Sequence, residues 1–142
     1  VCFVFFLFSD LYLSNLLVRE INSGLNINNG VFALNYIKNT GAAFSILRDS
    51  REFLIILSCV AIVLLFLYVF KHIKSISMKS IFFVSLLTSG IAGNLHERIV
   101  FGYVRDFFEL TFVNFPVFNI SDIFINIGVI ALIILILLKK TK

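Results

Sequence analysis

Residues 53–70 run for 18 positions without a charged side chain. An apolar run of that length, followed by Lys71, Lys74 and Lys79, has few ways to fold. In hydrocarbon every backbone N–H and C=O must be satisfied within the segment, so the run has to be a membrane-spanning helix. Three further stretches share the pattern. Val1–Val18 is apolar apart from Ser9, Asp10, Ser14 and Asn15, and as a helix it covers about 27 Å at ~1.5 Å per residue. Ser80–His96 carries no formal charge at neutral pH, and Ile123–Leu138 is apolar apart from Asn126, extended backwards by Phe115–Phe118. Spans are expected at about 1–18, 53–70, 80–96 and 120–138. The fold class these runs predict is a membrane all-α bundle of four transmembrane helices.

Composition supports this reading. Of the 142 residues 60% are hydrophobic and 14% charged, against roughly 25% charged in soluble domains. The mean hydropathy is +1.04. One domain, residues 1–142, is expected, with no internal repeat, low-complexity tract or linker. The net charge of +4 does not form a nucleic-acid footprint. The basic residues sit beside apolar runs, as at the cytoplasmic face of a bilayer. Cys2 and Cys59 are isolated, with no CxxC or Cys/His spacing, and read as packing residues. Val1–Val18 lacks the basic start and small-residue cleavage site of a signal peptide. The chain begins at Val rather than Met, so further residues are expected upstream.

Between the first two spans, Asn28-Asn29-Gly30 signals a turn and Gly30–Ile37 reads as a strand. Asn39-Thr40-Gly41 breaks it, and Ala42–Leu47 suits an interfacial piece. Asp49 and Glu52 resemble a helix cap and its partner three residues on. Ser85, Ser89 and Gly93 make a small-residue face on the third span that admits close helix approach. The second-to-third connection and the C-terminal tail each hold three lysines. By the positive-inside tendency both termini are expected in the cytoplasm, with residues 19–52 and 97–121 on the opposite side.

The polar residues near those outer ends are the functional candidates. Gly90, Asn94 and Arg98 are spaced by four and share a helix face. Taken alone they read as a snorkelling arginine with a polar helix end. Asp106 follows Gly102–Arg105, and its bland reading is a solvated loop carboxylate paired with Arg105 or Arg98. Asp122 falls in the first turn of the fourth helix, where the dipole favours a carboxylate. Asn119, Asp122 and Asn126 share a face, and polar residues on a membrane helix point into the bundle. Two aspartates brought together share one proton, so one serves as base toward water and the other as acid toward a carbonyl oxygen. That scheme needs neither metal nor cofactor. No HExxH pattern or Ser/His/Asp arrangement competes with it, and the spacing argues against a zinc site.

Three boxes then identify a resemblance. Ile37–Phe44 reads IKNTGAAF, Gly90–Phe107 reads GIAGNLHERIVFGYVRDF and Phe115–Asp122 reads FPVFNISD. They resemble the VRNTGAAF, GxxGNxxDRxxxGxVxDF and FPxFNxAD boxes of lipoprotein signal peptidase (signal peptidase II), in the same order between four spans. The match covers about Asn35 to Asn126. The resemblance implies an aspartic endopeptidase of the bacterial cytoplasmic membrane with its active site toward the outer leaflet, its four-helix bundle carrying a small extracytoplasmic β-sheet and interfacial helix over Gly30–Leu47. It would cut prolipoproteins just before a diacylglyceryl-modified cysteine, with the bilayer supplying substrate and with no nucleic acid or metal as partner. Asp106 and Asp122 would be the catalytic dyad. Asn39, Gly41, Gly90, Asn94, Arg98 and Asn119 would surround it and hold substrate.

Some positions depart from the pattern. Glu97 stands for the Asp before Arg98, and Ser121 for the Ala before Asp122, where it would add a hydrogen bond near that carboxylate. The first-span pattern resembles DQxxK. LSNLLV aligns Asn15 with its Lys and leaves Asp10 one residue out of register, so Asp10 is not counted in the site. A small transporter would need polar residues through the depth of several spans, but the second span offers only Ser58 and Cys59. A non-catalytic scaffold would be expected to lose one dyad aspartate. A presenilin-like protease would carry GxGD, which is absent from the sequence.

Overall fold

A computed structural model describes residues 1–41 and 50–140. The chain runs α1 (Cys2–Asn22), β1 (Phe32–Asn39), α2 (Arg51–His72), α3 (Met78–Val100), β2 (Val104–Leu110), α4 (Ile120–Lys140). Four helices are long and apolar enough to cross a membrane, as the apolar runs predict. Each outruns its apolar core by a few residues, because helical hydrogen bonding continues through polar side chains at the span ends. The interfacial helix expected over Ala42–Leu47 lies outside the described residues, as does Asp49. α2 begins at Arg51 after Ser50, whose side chain makes no capping hydrogen bond.

α3 is the centre of the bundle and packs against α1, α2 and α4. It is also less apolar than the other three and has the largest buried share, since much of its surface faces protein rather than lipid. By contrast α2 is almost wholly apolar and largely exposed, as suits a helix solvated by lipid. Small residues bring the helices together. A Cβ on Gly128 would lie 2.8 Å from the Leu87 Cβ and 3.0 Å from its Cα. On Gly93 it would run into the side chains of Asp10 and Ser121. Ser89, on the same face, is fully buried. Edge-on contacts of Phe6 with Phe82 and Phe124, at 5.3 and 5.6 Å, fill the α1–α3–α4 junction.

The sheet joins the same ends of the helices. α3 terminates at Phe101 and Gly102, whose N–H groups bond back to the Glu97 and Arg98 carbonyls. Gly102 takes φ +85°, the left-handed conformation that turns the chain out of a helix. Arg51, at the start of α2, donates to the Arg98 and Ile99 carbonyls at 2.9 and 3.1 Å, placing a cation at the negative end of α3. The chain then enters β2, which pairs antiparallel with β1, Asn39 opposite Val104 and Ile37 opposite Asp106, with an irregularity between Leu34 and Ile37. β1 was expected from the sequence. β2 was not, because VRDFFEL lacks the alternation of a half-buried strand.

The expected backward extension of the fourth span through Phe115–Phe118 is not helical. Phe118 instead exchanges backbone hydrogen bonds with Phe108, and its carbonyl also accepts from Phe107. Pro116, which lacks an N–H, suits this extended return. α4 starts only at Ile120, and the return path carries its first turn back to β2. Gly128→Val should lower the stability of the purified protein by about 1–3 kcal/mol through overpacking against Leu87. Ile130→Val, at an exposed position on the same helix, should leave it nearly unchanged. Thermal unfolding in detergent compares the two.

Candidate active site

The start of α4 fixes the first carboxylate. Asn119 and Asp122 cap each other: the Asp122 N–H donates to Asn119 Oδ1 at 2.8 Å, and the Asn119 N–H donates to Asp122 Oδ2 at 3.1 Å. This is the reciprocal capping box of a helix N-terminus. The bland capping role of Asp122 is therefore real, but it occupies one carboxylate oxygen. The other, Oδ1, accepts from Asn94 Nδ2 of α3 at 2.9 Å.

The second carboxylate comes from β2. Asp106 is 2% exposed, not a solvated loop residue, and its partner is neither Arg105 nor Arg98. Its Oδ1 accepts from Asn119 Nδ2 and its Oδ2 from Asn39 Nδ2 at the end of β1, each at 2.9 Å. Asn119 Nδ2 also donates to Asn94 Oδ1 at 3.0 Å. A continuous chain thus runs Asn39–Asp106–Asn119–Asn94–Asp122 across two strands and two helices. Among the described residues no buried side-chain nitrogen or oxygen lacks a partner, as buried polar networks require.

Arg98 completes the arrangement. Its Nη2 donates to the Gly41 carbonyl at 2.9 Å and its Nη1 to the Asn94 carbonyl at 3.2 Å. Gly41 in turn donates its N–H to Asn39 Oδ1 at 2.9 Å. Burial first, and the negative charge of Asp122 second, push the Asp106 carboxyl up from its ordinary 3.8 to about 7, against the donors Asn39 and Asn119 and the charge of Arg98. Like charges brought together in a poorly solvated place cannot both ionise cheaply, which is the condition for one proton shared between two carboxyls.

A cavity of about 410 Å³ opens on this pair, a size typical of ligand sites. Asn39, Arg98, Asp106, Asp122 and Asn126 give it a polar floor, and Leu110, Phe115, Val117, Phe118, Ile123 and Ile127 give it apolar walls. Of the residues read from sequence as substrate-holding, Asn39 and Arg98 line this cavity. Asn94 and Asn119 bond the carboxylates instead, and Gly41 contributes its backbone to the network. Gly90 sits apart, at the α3–α4 contact, where a Cβ would meet the Ser121 carbonyl at 2.5 Å. Among the described residues no group of three or more His, Cys, Asp or Glu side chains could hold a metal ion.

Sequence reasoning left out Asp10, and the structure brings it in. Asp10 is 3% exposed and faces α3 and α4, where Ser121 donates its hydroxyl to Asp10 Oδ2 and Ser14 reaches Asp10 Oδ1 at 3.5 Å. The Ser121 hydroxyl therefore serves Asp10, not Asp122. Asp10 and Ser14, four residues apart on α1, are both buried. Polar residues spaced by four within an apolar run were the available signal, and it marked a face turned into the bundle.

Comparison with known proteins identifies the family. The family described as signal peptidase (SPase) II matches residues 2–138. The chain is 42% identical over 117 residues to a lipoprotein signal peptidase of Caldicellulosiruptor bescii, covering 82% of this chain and 75% of the relative. It is 38% identical over 121 residues to one of Streptococcus thermophilus, covering 85% and 78%. A solved structure described as a bacterial membrane enzyme, determined by the in meso method at 2.3 Å, superposes with a TM-score of 0.82 and 29% identity over 99% of this chain and 87% of its own. The chain belongs to the signal peptidase II family.

Proposed function

We propose that Asp106 and Asp122 are the catalytic dyad of this membrane peptidase. The observation that carries the reading is Asn119, which donates its side-chain amide to the Asp106 carboxylate and its backbone N–H to that of Asp122, both carboxylates lining a single cavity. As a member of its family the chain removes signal peptides from prolipoproteins. In the proposed reaction the ionised carboxylate takes a proton from water as its oxygen attacks the scissile carbonyl. The protonated carboxyl gives its proton to the carbonyl oxygen. Collapse of the tetrahedral intermediate breaks the C–N bond, with the proton passing to the departing nitrogen.

The apolar walls of the cavity suit a signal helix arriving from lipid and the acyl chains of a diacylglyceryl-modified cysteine, and the cut falls just before that cysteine. The chain acts as one peptidase domain. Lys71, Lys74 and Lys79 mark the cytoplasmic side, so both termini lie there and the sheet with the dyad lies toward the outer leaflet of the bacterial cytoplasmic membrane. The chemistry uses water and the two carboxyls.

Asp106→Asn and Asp122→Asn should each reduce cleavage of a diacylglyceryl-modified prolipoprotein to background while leaving the folded protein in the membrane. Retained turnover in either purified variant would contradict the dyad. Cleavage by wild type should fall on the alkaline side as the shared proton is lost, with a midpoint near the raised value of about 7 at Asp106. A rate profile flat from pH 6 to 9 would contradict it. Arg98→Ala, which frees the Gly41 and Asn94 carbonyls, should lower kcat/KM by about 10²-fold through loss of alignment. If loss of folded protein accounts for the whole effect, Arg98 is structural only.

A further inference from the structure

Glu97 of α3 and Arg105 of β2, 5% and 7% exposed, meet beside the dyad without belonging to it. Arg105 donates Nε to Glu97 Oε2 at 2.7 Å and Nη2 to Oε1. Its backbone N–H reaches the same Oε2 at 3.3 Å. A third side-chain donor, Nη1, goes to Asn15 Oδ1 of α1 at 3.0 Å. The guanidinium lies 4.5 Å from the centroid of the Phe101 ring. One glutamate thus grips both the main chain and the side chain of a single strand residue, fixing the position and the rotation of β2 on the bundle.

The next residue is Asp106. Neighbouring strand residues point to opposite faces, so the ion pair anchors β2 from behind while Asp106 faces Asn39 and Asn119. Stability alone is a poor reason for such a pair. A buried ion pair recovers its desolvation cost only with excellent geometry, and apolar replacements of similar volume are often as stable. A fork of directed hydrogen bonds supplies what apolar packing lacks, a defined orientation.

We propose that Arg105 and Glu97, with Asn15, are positioning residues that hold the Asp106 carboxylate in register with Asp122. The proposal rests on the dyad reading given above. Catalysis is sensitive to such placement, since a displacement of about 1 Å can cost about 10²-fold in rate.

The test uses full-length enzyme in lipid with a diacylglyceryl-modified prolipoprotein, kcat being expressed per folded molecule. Arg105→Lys keeps the charge but loses the fork, and the double variant Glu97→Leu/Arg105→Met removes both charges together. Each should lower kcat at least about tenfold with KM within about twofold, and the double variant should unfold near the wild-type temperature. A second readout, the titration of Asp106 followed by carboxyl 13C NMR, should show a shifted midpoint in Arg105→Lys, because Asp106 has moved relative to Asn39 and Asn119. Wild-type kcat in a stably folded double variant would overturn the proposal. If the double variant does not fold, wild-type kcat with an unmoved Asp106 midpoint in Arg105→Lys overturns it instead. Activity surviving in Asp106→Asn would refute the dyad, whereas the midpoint shift reads positioning independently of that outcome.

Discussion

Two carboxylates set among apolar helices must find donors within the protein, and Asn119 does most to satisfy this demand. Its two amide hydrogens go to Asp106 and Asn94, and its carbonyl oxygen accepts the Asp122 N–H. One side chain therefore caps α4, bridges α4 to α3 through Asn94, and ties β2 to both. The backbone follows from this constraint. α4 cannot start earlier without losing the cap, so Phe115–Phe118 must run extended along β2 and bond to it. Capping and catalysis are not rival explanations of Asp122. The cap fixes the rotamer that the proposed chemistry needs.

The helices were legible because lipid leaves the backbone no alternative, and run length fixed their number. Their ends were less legible, since hydrophobicity stops before hydrogen bonding does. β2 escaped notice because its residues serve several masters: Arg105 turns to Glu97 and Asn15, Asp106 to the asparagines, and Phe107 is fully buried. A strand packed on both sides has no alternating pattern to read. The surroundings of Asp10 were hidden for a different reason. Its partner Ser121 lies 111 positions away, and the four-residue spacing to Ser14 marks an inward face without naming that partner. The boxes around Asn39, Asn94, Arg98, Asp106, Asn119 and Asp122 located the network in advance, but not its wiring, which depends on contacts between distant elements.

The two mild departures from the family boxes each acquire a partner in the fold. Glu97, where the family has Asp, reaches Arg105. Ser121, where the family has Ala, donates to Asp10. The Glu97 carboxylate, carried on a longer arm, and the added Ser121 hydroxyl are thus both satisfied inside the bundle rather than left orphaned, as buried groups must be. Both contacts cross the lines along which helices and strand could slide, so they stiffen the frame around the carboxylates.

The central claim is that Asp106 and Asp122 share one proton. Infrared spectroscopy of protein carrying 13C-labelled aspartate carboxyls, titrated in lipid, tests this most directly. The account predicts a protonated-carboxyl band that persists to about pH 7 and that is altered by replacing either Asp106 or Asp122 with Asn. The surviving Asp106 should then titrate at lower pH in Asp122→Asn, because the charge that raised it is gone. A band indifferent to both substitutions, or an Asp106 that ionises near 3.8 in the intact protein, would contradict the account.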